Sequence, residues 1–151
     1  MRMRTIYIGG DHGGFELKKA LKGHLEDEGY KVIDVGAYEY DAGDDYPDYA
    51  RRLCRKVAAH NAIGILACKS GQGMSIAANK VRGIRAVTAG SVQGARLAKQ
   101  HVNANVLCIG SVLTNVEKAR HIASVWAREE FSGEERHVRR IRKISRIENE
   151  S

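Results

Sequence analysis

The residues of this sequence best placed for chemistry follow a short apolar stretch at 63–67, Ile-Gly-Ile-Leu-Ala. That composition is typical of a strand covered on both faces. Cys68 ends the stretch, and a turn containing Gly71 and Gly73 separates it from a segment of helical composition. A strand, a glycine-containing turn and a helix start direct backbone N–H groups at one point. The pattern therefore predicts a site for a small anion with a thiol at its rim.

Two interpretations of Cys68 are open. A cysteine that ends a buried strand is most often a small apolar core residue. In this position, however, a helix N-terminus and the neighbouring Lys69 would both favour the thiolate, which makes Cys68 a candidate base or nucleophile. Cys54 and Cys108 fall inside a predicted helix and a predicted strand, where packing explains them better.

A second candidate group, Asp11 and His12, stands in Gly-Gly-Asp-His-Gly-Gly after the first predicted strand. A carboxyl and an imidazole flanked by glycines can exchange protons with a substrate that approaches the backbone closely. Asp and Gly also form turns and cap helices, so a purely structural role is an equal alternative.

Other polar features have simpler explanations. His101 ends a predicted helix, where the dipole stabilises a cationic imidazole, so a structural role competes with a catalytic one. The basic run from Arg136 to Arg146 fits the solvated face of a helix whose apolar side chains pack. It lacks aromatic platforms and a recognised nucleic-acid module, and the Gly-Gln-Gly turn lacks the third glycine of a dinucleotide fingerprint. We expect neither nucleic acid nor nucleotide as a ligand.

The elements that position these groups alternate between strand and helix. Strands are predicted at 5–9, 31–35, 63–67, 85–89 and 105–109, and helices at 15–28, from 47, at 74–80, 92–101 and 134–148, with a further helix after a Thr114–Glu117 capping box. Such alternation predicts a parallel sheet covered on both faces by right-handed crossovers. Ligands bind beyond the carboxyl ends of such strands, which would bring Asp11, His12 and the turn after Cys68 to one crevice.

Composition sets the broad class. A chain of 151 residues suits one domain over 1–151, with a basic C-terminal helix and tail from about 134 to 151. Three cysteines without paired metal-ligand spacing argue against disulfides and structural zinc and favour a reducing cytoplasm. No stretch reads as a signal peptide or a membrane span, so we expect a soluble protein without a membrane partner. The net charge of +7 lies largely after Arg136.

Taken together, the motifs resemble the ribose-5-phosphate isomerase B family, which includes galactose-6-phosphate isomerase subunits. The resemblance is carried by Gly-Asp-His-Gly-Gly-Phe-Glu-Leu-Lys at 10–18 and by Gly-Met-Ser-Ile-Ala-Ala-Asn-Lys at 73–80. Further matching segments are 45–50, 64–68, 83–86, 103–107 and 136–140, together with His101. They span nearly the whole chain in the family's order.

The resemblance implies a single Rossmann-like domain of α/β class with a five-stranded parallel sheet. It also implies a homodimer or homotetramer whose active sites are shared between subunits. In the family, a cyclic sugar phosphate is opened and a proton moves between C1 and C2 through a cis-enediolate, without metal or nucleotide cofactor. A small-molecule sugar phosphate is therefore the expected partner.

The resemblance also implies a role for each matching residue. Cys68 would be the base that moves the carbon-bound proton, assisted by Ser70, and the N–H groups around Gly71 and Gly73 would hold the enediolate oxygen. Asp11 would serve the hydroxyl oxygens.

The remaining roles concern the ring and the phosphate. His101 would open the sugar ring, and Tyr46, in the 45–50 motif, would contact the substrate. His12, Arg136 and Arg140 would bind the phosphate.

Four positions depart from the family pattern. Lys69 stands where the family usually has Gly, Gln72 replaces a small apolar residue, Val102 replaces Asn, and Val112 replaces an arginine that binds phosphate. Loss of a charge-assisted contact would cost about 1.5–3 kcal/mol, enough to change substrate preference. Our hypothesis is that Lys69 supplies the missing charge. An isomerase of another or unphosphorylated sugar, and a non-catalytic sugar-phosphate binding protein, are the alternatives.

Overall fold

The computed structural model describes residues 4–151, in which five strands alternate with six α-helices. The strands are β1 (Thr5–Gly10), β2 (Lys31–Asp34), β3 (Ile63–Cys68), β4 (Ala86–Thr88) and β5 (Val106–Gly110). The helices are α1 (Phe15–Asp27), α2 (Tyr46–His60), α3 (Gln72–Ala78), α4 (Val92–Val102), α5 (Val116–Arg128) and α6 (Glu135–Glu150). A 3-10 turn, His12–Gly14, joins β1 to α1. None of the helices described is long and apolar enough to cross a membrane.

The five strands form one parallel sheet in the order β2-β1-β3-β5-β4, which confirms the predicted fold class. Strand β4 is shorter than the predicted segment 85–89, and it starts at Ala86 because the N–H of Arg85 donates to the side-chain oxygen of Asn105 at 2.7 Å. The strand order reverses at β1, since the chain first adds β2 on one side and then crosses back to add β3 on the other. Ligands of open α/β sheets bind beside such a reversal, at the carboxyl ends of the strands.

Two apolar cores cover the two faces of the sheet. Helices α1, α4 and α5 pack on one face, where Leu21, Ile122 and Trp126 are fully buried. Helices α2 and α3 pack on the other, where Leu53 and Met74 are fully buried. Each fully buried side chain of this size contributes about 1.5–3 kcal/mol relative to exposure, so the sheet is a rigid platform for the turns at its edges.

Local sequence signals explain where most helices begin and end. Pro47 lies in the first turn of α2, and Asn61 ends that helix in a left-handed conformation with φ of 47°. The predicted capping box that begins at Thr114 is wrong. Helix α5 starts one residue later, because the side chain of Asn115 accepts the N–H of Lys118 at 2.8 Å.

The 3-10 turn after β1 packs directly against the end of β3. A Cβ at Gly14 would overlap the carbonyl of Ala67 and lie 2.6 Å from the backbone N of Cys68. Only glycine allows this approach. The contact brings the turn that carries Asp11 against the strand end that carries Cys68.

We therefore expect Gly14→Ala to destabilise the protein by about 1–3 kcal/mol or more, because the added methyl forces two backbone segments apart. Urea unfolding followed by circular dichroism would measure the change. Gly23→Ala is the control, since nothing lies within 4 Å of a Cβ at that helical position, and it should raise stability by up to about 1 kcal/mol. Equal effects of the two substitutions would contradict the close approach.

Candidate active site

The candidate crevice lies where β1 and β3 run side by side. Gly10 pairs with Ala67 at the last register position of these strands, so Asp11 and Cys68 each come one residue later at the same edge. The charge of Asp11 raises the pKa of Cys68, which indicates that the two side chains lie near each other. The sheet thus brings together the acid and the thiol that the sequence placed about 57 residues apart.

Asp11 is buried, with only 5% of its surface exposed. Its Oδ1 accepts the N–H of Gly14 at 3.1 Å and thereby caps the 3-10 turn. Burial raises the pKa of Asp11 above its ordinary value, and the N–H of Gly14 only partly opposes that shift. The turn-forming role expected of Asp11 is therefore present.

Cys68 is also buried, and its Sγ accepts the N–H of Gly71 at 3.0 Å. Gly71 adopts φ of 83°, a left-handed conformation that aims this N–H back at the sulfur. Burial raises the pKa of the thiol and Asp11 adds to the rise, whereas N–H groups of Gly71, Ser70 and Met74 lower it.

Of the two influences predicted to favour the thiolate of Cys68, the N–H groups at the start of α3 do lower its pKa. Burial and the charge of Asp11 outweigh the backbone N–H groups, so the pKa is raised rather than lowered. At neutral pH Cys68 is mainly a thiol, and once it loses its proton it is a strong proton acceptor.

Hydrogen bonds tie the turn after β5 to the turns after β1 and β3. The N–H of Ser111 donates to the carbonyl of Cys68 at 2.8 Å, and the N–H of Val112 donates to the carbonyl of Lys69 at 3.1 Å. The hydroxyl of Ser111 donates to the carbonyl of Gly13 at 2.6 Å. Val112 and Lys69 are therefore direct neighbours at the rim of the crevice, and both are exposed.

Tyr46 and Ser70 lie at the turn that contains Gly71 and Gly73. A Cβ at Gly73 would overlap the ring of Tyr46, so the tyrosine at the start of α2 lies directly over this turn. A Cβ at Gly110 would come within 2.6 Å of the backbone of Ser70, so β5 supports the turn from the opposite side. The predicted residues Tyr46, Ser70 and Gly73 all belong to this crevice.

His12 is held by Asp44, a residue that the sequence interpretation did not single out. Oδ1 of Asp44 lies 2.7 Å from Nδ1 of His12 and accepts the backbone N–H of His12 at 3.1 Å. This hydrogen bond raises the pKa of His12, while the nearby charge of Lys69 lowers it. The sequence offered no signal for Asp44, because it is one of several acidic residues in a polar loop.

The side chains of Asp11, His12 and Asp44 are the one group of metal-ligand type found among residues 4–151, with ligand atoms within 4.8 Å of one another. The 2.7 Å separation between His12 and Asp44 is that of a charge-assisted hydrogen bond, in which a proton occupies the space between nitrogen and oxygen. We assign these side chains to hydrogen bonding and not to a metal.

His101 lies near the amino ends of the strands, whereas Cys68 lies at their carboxyl ends. Helix α4 begins after the carboxyl end of β4 and runs back for 11 residues, a length of about 16 Å. Its last carbonyl, on Val102, accepts Nε of Arg85, the residue that precedes β4. Within one chain, His101 is therefore separated from the crevice by the length of the sheet.

The predicted phosphate ligands of α6 lie with His101. The ring of His101 packs on that of His137, with centroids 4.6 Å apart, and His137 directly follows Arg136. Nε of Arg136 lies 3.0 Å from Glu134, and Arg140 follows one turn later on the exposed surface. The predicted site residues thus form two groups, one at the carboxyl ends of the strands and one near their amino ends.

A doubly wound parallel sheet with a buried acid and a buried thiol at its carboxyl edge defines a Rossmann-like domain equipped for proton transfer. The model of the ribose/galactose isomerase family matches residues 6–144, and the chain belongs to this family. The chain is accordingly an isomerase. The resemblance expected from the motifs is confirmed.

Named relatives extend over almost the whole chain. Ribose-5-phosphate isomerase B of Mycolicibacterium paratuberculosis is 44% identical over 137 residues, covering 90% of this chain and 86% of the relative. Ribose-5-phosphate isomerase B of Escherichia coli is 41% identical over 147 residues, covering 97% of both. The crystal structure of ribose-5-phosphate isomerase B from Mycoplasma genitalium with bound ribulose-5-phosphate superposes with a TM-score of 0.95 at 41% identity, covering 99% of this chain and 100% of that one.

Proposed function

We propose that the protein interconverts ribose 5-phosphate and ribulose 5-phosphate through a cis-enediolate, with Cys68 as the base. The observation that carries this proposal is the buried thiol of Cys68 beside the buried carboxyl of Asp11, at the reversal of strand order. A relative of the same fold has been crystallised with bound ribulose-5-phosphate, which supports the choice of substrate.

The crevice residues divide the proton transfer between them. As the thiolate, Cys68 removes the proton from the carbon next to the carbonyl, and as the resulting thiol it returns that proton to the neighbouring carbon, with Ser70 beside it. N–H groups of the turn at Gly71 and Gly73 stabilise the enediolate oxygen, since preorganised donors act most strongly on charge that develops during the reaction. Asp11 moves the proton between the two oxygens, and its raised pKa suits a group that must both accept and release a proton.

Ring opening and part of the phosphate binding require a second copy of the chain. Three of the predicted residues lie near the amino ends of the strands, far from Cys68: His101, Arg136 and Arg140. They can therefore reach a crevice only from another subunit. We propose a homodimer, or a homotetramer built from dimers, in which one subunit contributes Cys68 and the other His101. In a dimer with two-fold symmetry, each subunit contributes Cys68 to one active site and His101 to the other, so the dimer contains two complete sites.

Exposed apolar side chains support association between copies. Val112 and Leu113 beside the crevice are each 61% exposed, and Ile76 on α3 is 65% exposed. Ile147 on α6 is 68% exposed. A second copy of the chain that covered these side chains would remove apolar surface from water.

We also propose a cytoplasmic location. The three cysteines are all free and buried in the structure, and burial raises the pKa of each thiol. A protein that keeps a functional free thiol fits a reducing compartment.

The test of the proposed reaction is deuterium exchange at C2 of ribose 5-phosphate in heavy water, followed by NMR. The wild-type protein should incorporate deuterium, and Cys68→Ala should reduce the rate by about 100-fold or more, since a positioned general base contributes on that order. Cys54→Ala is the matched control, because it removes a buried thiol on the same face of the sheet and should retain exchange.

Three outcomes separate the alternatives. Exchange that survives Cys68→Ala would contradict the role of Cys68. Binding of ribose 5-phosphate without exchange would favour a non-catalytic sugar-phosphate binding protein. Faster exchange with unphosphorylated ribose or allose would favour an isomerase of free sugars, the alternative that Val112 raises.

Lys69 provides a phosphate ligand in the place left by Val112. The two residues are hydrogen-bonded neighbours, and the charge of Lys69 is close enough to His12 to lower the pKa of its imidazole. The structure gives Lys69 no carboxylate partner within residues 4–151. A lysine and a cationic histidine at one rim form a suitable site for a phosphate dianion.

We expect Lys69→Ala to raise KM for ribose 5-phosphate about tenfold while kcat changes little, because the lost contact holds phosphate in substrate and transition state alike. Steady-state kinetics would measure both constants. Lys56→Ala, which removes an exposed charge from α2, is the control and should change neither. An unchanged KM in Lys69→Ala would remove Lys69 from the phosphate site.

A further inference from the structure

Asp44 is an unusual member of its loop. Its neighbours Asp41, Ala42, Gly43 and Asp45 are exposed, whereas the side chain of Asp44 is only 6% exposed. Burying a carboxylate is unfavourable unless hydrogen bonds or an opposite charge compensate it. The inward orientation of Asp44 therefore requires a strong interaction, and His12 is the partner that the structure gives it.

A single oxygen of Asp44 accepts two hydrogen bonds from His12. The backbone N–H lies 3.1 Å from Oδ1, and the ring Nδ1 lies 2.7 Å from the same atom. Together these bonds fix the position of the residue and the rotation of its ring. Because Nδ1 is bound to Asp44, Nε2 is left on the other side of a ring that is 36% exposed.

The charges around His12 come from three separate segments. Asp44 in the loop before α2 and Asp11 after β1 both raise the pKa of His12, and Lys69 after β3 lowers it. Burial works against ionisation of Asp44, but the hydrogen bonds from the ring and the backbone of His12 still lower the pKa of its carboxyl. Two carboxyl groups thus raise the pKa of the imidazole, and one ammonium group lowers it. The closest of the three contacts is the pair with Asp44.

We propose that Asp44 is a positioning residue that holds His12 as a cation with its Nε2–H directed at the phosphate of the substrate. This inference rests on the proposed function, in which His12 binds phosphate. A carboxylate that fixes Nδ1–H leaves Nε2–H as the single free donor of the imidazolium. Such a donor forms a charge-assisted hydrogen bond with a phosphate oxygen.

The test compares Asp44→Asn with Asp45→Asn. Asparagine keeps the size of Asp44 and an oxygen that can accept the same two bonds, but it removes the charge that favours the imidazolium. Asp45 is exposed and adjacent, so its substitution removes the same charge without touching His12. KM and kcat for ribose 5-phosphate are measured for both variants and for the wild type at pH 6 and pH 8.

We expect the ratio of KM between Asp44→Asn and the wild type to be near one at pH 6 and about tenfold at pH 8. At pH 6 an unassisted histidine is largely protonated, whereas at pH 8 it is largely neutral unless Asp44 raises its pKa. The phosphate of the substrate titrates identically in all three proteins, so the ratio isolates His12. Asp45→Asn should give a ratio near one at both pH values.

A purely structural role for Asp44 would raise KM by the same factor at both pH values, and that result, or no change at either, would overturn the proposal. Titration of the His12 ring by 15N NMR provides a measurement that does not depend on catalysis. The proposal requires a lower pKa of His12 in Asp44→Asn than in the wild type, and an equal pKa would overturn it. Absence of turnover in the wild-type protein would defeat the proposed function, and the NMR titration would still decide the effect of Asp44 on His12.

Discussion

The parallel direction of the five strands is the constraint on which this structure depends. It places the turns after β1, β3 and β5 at one edge of the sheet, where hydrogen bonds from Ser111 and Val112 join them. The same constraint makes every connecting helix run back to the opposite edge. A residue at the end of α4, such as His101, is therefore excluded from the crevice of its own chain. The geometric rule that assembles one half of the predicted site is thus also the basis for our proposal that a second copy supplies the other half.

Electrostatics at the crevice is governed by burial more than by opposite charge. The pKa values of Asp11 and Cys68 are both raised by burial, and backbone N–H groups only moderate these shifts. Both groups are thus protonated more readily than their free counterparts, which suits the proton transfers proposed for them. At the rim, where the phosphate is proposed to bind, a hydrogen bond outweighs burial, because Asp44 favours the charged form of His12. Burial thus dominates the pKa values inside the crevice, whereas the hydrogen bond with Asp44 dominates the pKa at its rim.

Much of this fold could be predicted from the sequence, since apolar runs such as 63–67 and glycine turns have local causes. The capping box at Thr114 failed because two adjacent residues were both good caps, and the packing that favours Asn115 is not visible in the sequence. The charge state of Cys68 could not be assigned from the sequence, because burial depends on the whole sheet, whereas the N–H groups that favour the thiolate are local. Asp44 was missed for the same reason: only the folded loop distinguishes it from the exposed acids around it.

The division of the site between two chains is tested most directly by a mixed dimer. Cys68→Ala and His101→Ala chains, carrying different tags, are co-expressed, and the dimer that contains one chain of each kind is purified. If one chain contributes Cys68 and the other His101, one of its two sites is fully wild type, and kcat per dimer should be about half that of the wild type. If each chain builds its own complete site, every site carries one substitution. A mixed dimer no more active than the two parent variants would contradict the account.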